Sequence, residues 1–383
     1  MKFIPRSLGL LLKKSKKSVL VLGPRQTGKS TLMRSLDPEL TINLALEATF
    51  LDFARNPREL GERMSAARYR SVLIDEVQRL PRLLNTVQAI LDETPPPPKF
   101  YLTGSSARKL RRGKANLLPG RIHAHFLGPF TSRELGYRLD TQQALSTGTL
   151  PGIWTEKKIG EREKTLRSYA SIYLKEEIQA EAVTQSIEGF SRFLFIIGAE
   201  AGKFLDLAKL ASQASVPRQS AVRYFEILED TLIVRRCEAF GKSPRRRLIQ
   251  RPRFFFFDTG VLNGLLGNFV VSADRIGPLF EHLVFNQLID SAAGQDQEIR
   301  LSSYRTEHGA EIDFIMEKGK ETFAIEIKAS RQVGKSDLRG FESFQEYYKK
   351  PHRRLVAYLG ESRKLIKGVE IFPWQELLRE VGL

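Results

Sequence analysis

Gly23-Pro24-Arg25-Gln26-Thr27-Gly28-Lys29-Ser30 fits the pattern G-x-x-x-x-G-K-[ST] without departure. Each position has a chemical reason. Glycines let the backbone wrap a chain of phosphates and turn its N–H groups inward, at the positive end of the following helix. Lys29 then reaches the β- and γ-phosphates, and the Ser30 hydroxyl helps hold Mg2+. The residues expected around the nucleotide are Gly23, Arg25, Gln26, Thr27, Gly28, Lys29, Ser30 and Thr31. The motif follows a short apolar run, Ser18–Leu22, and opens a stretch able to start a helix, Lys29–Leu36. That is the context the chemistry requires.

Val72-Leu73-Ile74-Asp75-Glu76 supplies a second half. Four apolar residues form a buried strand, Asp75 emerges at its end toward the metal, and Glu76 is placed to polarise the attacking water. Alone, this pattern also fits a strand that ends in solvent. Downstream of the phosphate loop, the catalytic reading is preferred. A proline run, Pro95–Pro98, leads into a third apolar run that ends in hydroxyls, Tyr101-Leu102-Thr103-Gly104-Ser105-Ser106. It resembles the sensor strand of AAA+ ATPases, where a polar side chain senses the γ-phosphate. Ser105 is carried forward in that role, with Thr103 and Ser106 left open. Among the arginines that follow (Arg108, Arg111, Arg112 and Arg121), Arg121 is the candidate finger reaching a neighbouring subunit's site. The other readings are nucleic-acid contact and simple solvation.

Stepping outward, buried runs separated by helices indicate a parallel α/β sheet. GPRQTGKST, LIDEVQRLP, LTGSSARKLRRGKANLLPGR and the later EIDF…IEIKAS together resemble a widespread prokaryotic family. Its members join an AAA+-type P-loop ATPase domain to a C-terminal domain of unknown function. The resemblance implies a RecA-like ATPase core, a winged-helix segment and a restriction-endonuclease-like tail. The expected units are an ATPase domain at 1–140, a helical linker or lid at 141–203, a winged-helix-like segment at 204–270 and the tail at 271–383.

The middle supports part of this directly. Leu205–Ala211 is amphipathic, Ser215–Ser220 breaks it, Ala221–Leu228 is a second helix, and Thr231–Arg235 can begin a wing strand. In that pattern Arg218 and Arg223 would face DNA. Lys242, Arg245, Arg246, Arg247, Arg251 and Arg253 then form a basic stretch suited to phosphates. The four phenylalanines after it, Phe254–Phe257, read as a buried strand rather than a base-stacking platform.

In the tail, Glu281 lies in a helical stretch, Asp313 in a strand pattern, and Glu326 and Lys328 in another. Alternation places Glu326 and Lys328 on one strand face. Asp313 and Glu326 can then share a divalent cation, with Lys328 beside them to activate water. This is similar to the PD-(D/E)xK nuclease core, in which an upstream acid such as Glu281 joins the cluster. The alternative is a structural ion-pair cluster that does not cleave.

Bulk properties frame the rest. The 383 residues are 42% hydrophobic and 27% charged, which excludes wholesale disorder. The single cysteine, Cys237, excludes an internal disulfide framework. The apolar N-terminal patch is followed by basic residues rather than a cleavage site, and no run reaches the roughly 18 apolar residues of a membrane span. A cytoplasmic protein with no membrane partner is expected. The net charge of +17 suits a polyanionic partner. Together these features point to an ATP- and Mg2+-dependent motor or remodeller of duplex or branched DNA, such as Holliday junctions, helicase-like and working as a hexameric ring. The competing readings are a Mg2+-dependent nuclease regulated by ATP, and a protein-directed ATPase switch with an inactive tail.

Overall fold

The computed structural model describes residues 4–105, 120–173, 187–241 and 248–383. Ser106, Arg108, Arg111 and Arg112, and likewise Arg245, Arg246 and Arg247, lie outside the described residues.

Five short strands form the first sheet: β1 (Ser18–Leu22), β2 (Leu40–Asn43), β3 (Ser71–Asp75), β4 (Lys99–Gly104) and β5 (Ile122–Phe126), in the order β2-β3-β4-β1-β5, all parallel. The apolar runs of β1 and β3 are continuous because both faces of the sheet are covered. On β1, Leu20 points into a core with Phe53, Leu60, Leu84 and Val87, while Val19 and Val21 point the other way onto Leu8, Leu12, Leu32 and Met33. The N-terminal apolar patch is thus the helix Ser7–Lys14, spent on covering one face of this sheet. The order also matters for the site. With β4 between β1 and β3, the hydroxyls that end β4 fall between the phosphate loop and the acidic pair.

The helices Ile187–Ala199, Leu207–Gln213 and Arg218–Asp230 precede an antiparallel hairpin of β6 (Val234–Ala239) and β7 (Arg253–Phe256). β6 starts later than the sequence suggests because Thr231 and Leu232 turn the chain first. Thr231 Oγ1 donates to the Ile227 carbonyl at 2.7 Å, and Leu232 has a left-handed φ of 63°. Phe254, Phe255, Phe256 and Phe257 are each fully buried, as expected of a core strand.

The tail adds the helix Ile276–Gly294, an antiparallel meander of β8 (Arg300–Arg305), β9 (Glu311–Lys318) and β10 (Glu321–Lys328), the helix Arg339–Tyr348, and β11 (Arg353–Tyr358) parallel to β10. β12 (Lys364–Ile366) and β13 (Val369–Pro373) complete the edge. Glu238 and Ala239 of β6 pair with Ser302 and Ser303 of β8. One eight-stranded sheet, β12-β13-β11-β10-β9-β8-β6-β7, therefore runs across the expected 270/271 boundary. Among the described residues no helix is long and apolar enough to cross a membrane.

His282 lies inside this packing. Its Nε2–H donates to the Phe256 carbonyl at 2.6 Å, an acceptor shared with Asn286 Nδ2 at 2.8 Å. Burial, reinforced by the charges of Arg235 and Arg253, pulls its pKa from 6.5 to about 4. Since the folded value lies below the unfolded one, the stability carried by the neutral ring is complete above pH 6.5. It is lost as pH falls toward 4, at about 1.4 kcal/mol per pH unit. His282→Gln, which can still donate to Phe256, should lose less stability than the wild type between pH 7 and pH 4.5, by roughly 2 kcal/mol. Urea unfolding at the two pH values measures this. Asp258, whose buried carboxyl is raised to about 6, gives an opposite slope that is common to both proteins and cancels.

Candidate nucleotide site and a second acidic cluster

The phosphate loop joins the end of β1 to the helix Lys29–Arg34. Gly28 sits at that helix start with φ 88° and ψ 18°, a left-handed conformation that a glycine adopts without cost. Gly23 is required for another reason: a Cβ there would come 2.2 Å from the Leu127 carbonyl oxygen. Lys29 is 4% exposed, and its ammonium donates to the Gly23 and Pro24 carbonyls at 2.8 Å each. It is folded over its own loop, where phosphate oxygens would compete for it.

The Ser30 hydroxyl donates to Asp75 Oδ1 at 2.8 Å across 45 residues. Thr103 Oγ1 donates to the same oxygen and accepts from the Glu76 backbone N–H at 2.9 Å. A hydroxyl and a carboxylate facing one point are the hard oxygen donors that Mg2+ takes, so Ser30 and Asp75 fit the ion. Glu76 adopts φ 60° and ψ 44°, which for a residue with a Cβ costs roughly 1 kcal/mol or more. That turn aims its carboxylate at Gln78, whose Nε2 donates both to Glu76 and, at 2.9 Å, to Ser105 Oγ. Lys29, Ser30, Asp75, Glu76 and Gln78 line a cavity of about 1130 Å3, closed on another side by Phe130, Pro151 and Thr155, with Thr103 and Ser105 buried behind them. Arg25, Gln26 and Thr31 also reach this space. Thr27 is buried beneath it, its hydroxyl on the Pro24 carbonyl at 2.9 Å.

Two members of this site have no role assigned from the sequence. Gln78 is one. Arg6 is the other: its guanidinium donates to the Thr27 carbonyl at 2.6 Å, to Gly128 at 2.8 Å and to Pro129 at 3.0 Å, and it pairs with Glu134 at 2.9 Å. Arg121 is placed elsewhere. It precedes β5, whose first residue pairs with Ser18, so a strand length of roughly 16 Å separates it from its own phosphate loop. It forms a two-bond contact with Asp92, at 2.6 and 2.9 Å. Arg218 is exposed and Arg223 half-buried on the helix Arg218–Asp230.

The tail cluster departs from the sequence expectation. Glu326 and Lys328 do share a face, joined at 2.8 Å, and Asp313 stands beside them. The carboxylates are nevertheless already engaged. Asp313 Oδ2 accepts the Ile327 N–H at 2.8 Å, and Glu326 Oε2 accepts the Asp313 N–H at 3.3 Å. Glu281 forms an ion pair with Arg253, which also stands 4.0 Å from Asp313 Oδ1. Among the described residues no group of three or more His, Cys, Asp and Glu side chains is arranged to hold a metal. The expected metal ligands Glu281, Asp313 and Glu326 do not fit the ion in this arrangement, because a guanidinium stands among them. Burial, with the neighbouring Glu326 and Glu281 charges, pushes the Asp313 carboxyl well up, and burial raises Glu326 to about 7. Arg253, which composition groups with a basic stretch suited to phosphates, is turned inward onto Glu281, and Arg251 of the same stretch pairs with Asp206 at 2.8 Å.

Comparison with known proteins bears on these sites. Residues 15–136 match the family model described as an AAA domain. The chain carries an AAA-type P-loop ATPase domain. Residues 138–271 and 276–377 of the same chain match two models described as domains of unknown function, DUF8612 and DUF4143. Proteins of Mycobacterium bovis and Mycobacterium tuberculosis, both described as uncharacterized, are 28% identical over 319 residues, 81% of this chain and 70% of theirs. Among solved structures, the replication initiator DnaA bound to AMPPCP and single-stranded DNA is 11% identical, with a TM-score of 0.28, over 58% of this chain and 86% of that one. A signal transduction ATPase with a tetratricopeptide repeat sensor from Pyrococcus horikoshii is 12% identical, with a TM-score of 0.25, over 76% of this chain and 45% of that one. The fold of the ATPase domain rests on its strand order and on the family model.

Arg6→Ala should leave the nearly buried Glu134 carboxylate and three loop carbonyls without their shared donor. The expected loss is about 3 kcal/mol of stability, with ATP affinity falling by on the order of tenfold as the loop loosens. Calorimetric melting and fluorescent-nucleotide titration test both. Unchanged affinity would mean that the loop holds its shape without Arg6.

Proposed function

We propose that this chain is an ATP-driven remodeller of DNA, helicase- or translocase-like, in which hydrolysis at the phosphate loop moves the C-terminal sheet. The observation that carries this reading is a continuous hydrogen-bonded route. Arg6 ties the Thr27 carbonyl to Gly128 and Pro129. The next residues are gripped by Gln287 of the tail helix, which donates to the Phe130 carbonyl at 3.1 Å and accepts the Ser132 N–H at 2.6 Å. A shift of the loop is therefore felt by the helix Ile276–Gly294.

In the mechanism, loop N–H groups and Lys29 hold the β- and γ-phosphates, with Lys29 exchanging the Gly23 and Pro24 carbonyls for phosphate oxygens. Ser30 and Asp75 would hold Mg2+, which supplies neutralisation of phosphate charge. Thr103 fixes the Asp75 carboxylate and the Glu76 backbone. Glu76 orients and deprotonates water once its carboxylate leaves Gln78, and Ser105 reports that change through the same amide. Arg121 serves a neighbouring subunit of a ring, a hexamer in the proposed assembly.

DNA as the partner is supported by the net charge of +17 and by the three-helix and hairpin unit, read as a winged helix with Arg218 and Arg223 outward. The tail's order of helix, antiparallel meander, helix and parallel strand supports reading it as nuclease-like in fold. The decisive measurement is ATPase rate with no DNA, single strands, duplex and a four-way junction, with Lys29→Ala as the blank. Stimulation of at least several-fold by one of these is expected, with log affinity falling as log salt rises. Neither binding nor stimulation at low salt would replace the DNA reading with a protein-directed switch.

A further inference from the structure

We infer that Arg253 is the resident cation of the Glu281–Asp313–Glu326 cluster, so that the tail binds no divalent metal while its guanidinium is in place. The inference concerns the tail alone and does not depend on the nucleotide chemistry.

Backbone position comes first. Arg253 opens β7, where it pairs with Cys237 of β6 and bridges to Phe204 on its other side. The side chain is then held along its length. Its Nε donates to the Gly202 carbonyl at 2.7 Å, and the guanidinium lies 5.2 Å from the Phe255 ring and 5.9 Å from that of Phe314. One Nη faces the Glu281 carboxylate and stands 4.0 Å from Asp313 Oδ1. An arginine fixed by a strand pairing, a carbonyl, two rings and two carboxylates is not a surface group that has fallen inward.

Charge and oxygen supply make the same point. Three carboxylates face two cations, Arg253 and Lys328, which leaves little field to attract a doubly charged ion. A divalent ion in reach of Asp313 Oδ1 would lie within a few ångströms of the guanidinium, a costly repulsion in a site shielded from water. Mg2+ also demands six oxygens in a regular array. Here Asp313 Oδ2 and both Glu326 oxygens already accept hydrogen bonds from Ile327, Lys328 and Asp313. A cavity of about 320 Å3 opens beside the cluster, and its walls add Lys203 and the pair Arg305–Glu311, joined at 3.2 Å. The acid positions of a metal site are present, and the chain has filled them with its own cation.

Removing that cation should therefore create a metal site. The test uses the full chain carrying Asp75→Asn, without nucleotide, so that Mn2+ cannot report on the phosphate loop. Mn2+ binding is followed by electron paramagnetic resonance of the free ion and by thermal melting. The Asp75→Asn protein should bind no Mn2+ at the tail. Adding Arg253→Ala should give one site per chain, at least on the order of tenfold tighter than any residual Mn2+ binding by the Asp75→Asn protein, with a melting temperature that now rises with Mn2+. Adding Asp313→Asn should abolish both gains. Arg253→Met, which keeps an apolar stem between the two rings, repeats the experiment if the alanine variant does not fold. Mn2+ bound by the Asp75→Asn protein and lost on adding Asp313→Asn would overturn the inference. So would a folded Arg253 variant that gains no site.

Discussion

One guanidinium fixes the geometry on which the nucleotide site depends. Arg6 is nearly buried, as is its partner Glu134, and burying such a pair is favourable only if the remaining donors are also satisfied. They are satisfied by carbonyls from two places that the chain would otherwise leave independent: Thr27 inside the phosphate loop, and Gly128 and Pro129 just past β5. The loop is consequently not a free flap at the end of β1. Its shape is coupled to residues 127–134, and those residues are the seat of the tail helix. Gly128 is part of this fit, since a Cβ there would come within 2.3 Å of the Asp290 carboxylate.

The same logic governs how the tail is assembled. The helix Ile276–Gly294 is buried around most of its circumference, so it cannot be positioned by an apolar stripe alone. Two arginines of the β6–β7 hairpin place it. Arg235 bonds Asp290 at 2.7 Å and Arg253 faces Glu281. These acids are nine residues apart, about 13.5 Å along a helix, so the hairpin grips the helix at two separated points. Pairs of this kind contribute little net stability against well-packed apolar residues. Their effect is on register, because a sliding helix would strand two buried carboxylates.

What could be read in the sequence, and what could not, follows from the same distinction. β1, β3 and β4 were legible because strands covered on both faces must be continuously apolar, and the glycine spacing of the phosphate loop admits few other meanings. The sharing of one face by Glu326 and Lys328 needed only the two-residue period of a strand. β5 was not legible, since His123 and His125 interrupt its apolar pattern at the edge of the sheet. Arg6 acts through Thr27 and through Gly128, Pro129 and Glu134 more than a hundred residues away, and Gln78 through Glu76 and through Ser105 at the end of β4; neither role follows from local spacing. Arg253 is the instructive case. By composition it belongs with the basic stretch beginning at Lys242. Only its pairing with Cys237 turns it inward, and strand register between distant segments is not written in composition.

Both acidic centres use internal stand-ins for what such sites hold, and the difference between the stand-ins separates their functions. At the nucleotide site Lys29 rests on two neutral carbonyls, Ser30 on Asp75 and Glu76 on a neutral amide, while the arginine beside Asp75, Arg34 at 3.8 Å, is more than half exposed. Hydrogen bonds of this kind, each with one charged partner, contribute about 1.5–3 kcal/mol apiece, and a polyphosphate bringing several negative charges can replace them. The strained turn at Glu76 adds a reason for its carboxylate to be held only until water and phosphate arrive. In the tail the stand-in is a full positive charge, clamped by a strand and two aromatic rings. Displacing it would strand Glu281 and move β7, which is part of the sheet core. Exchangeable partners suit the first centre to taking a ligand; in the second the cation is held as part of the sheet core.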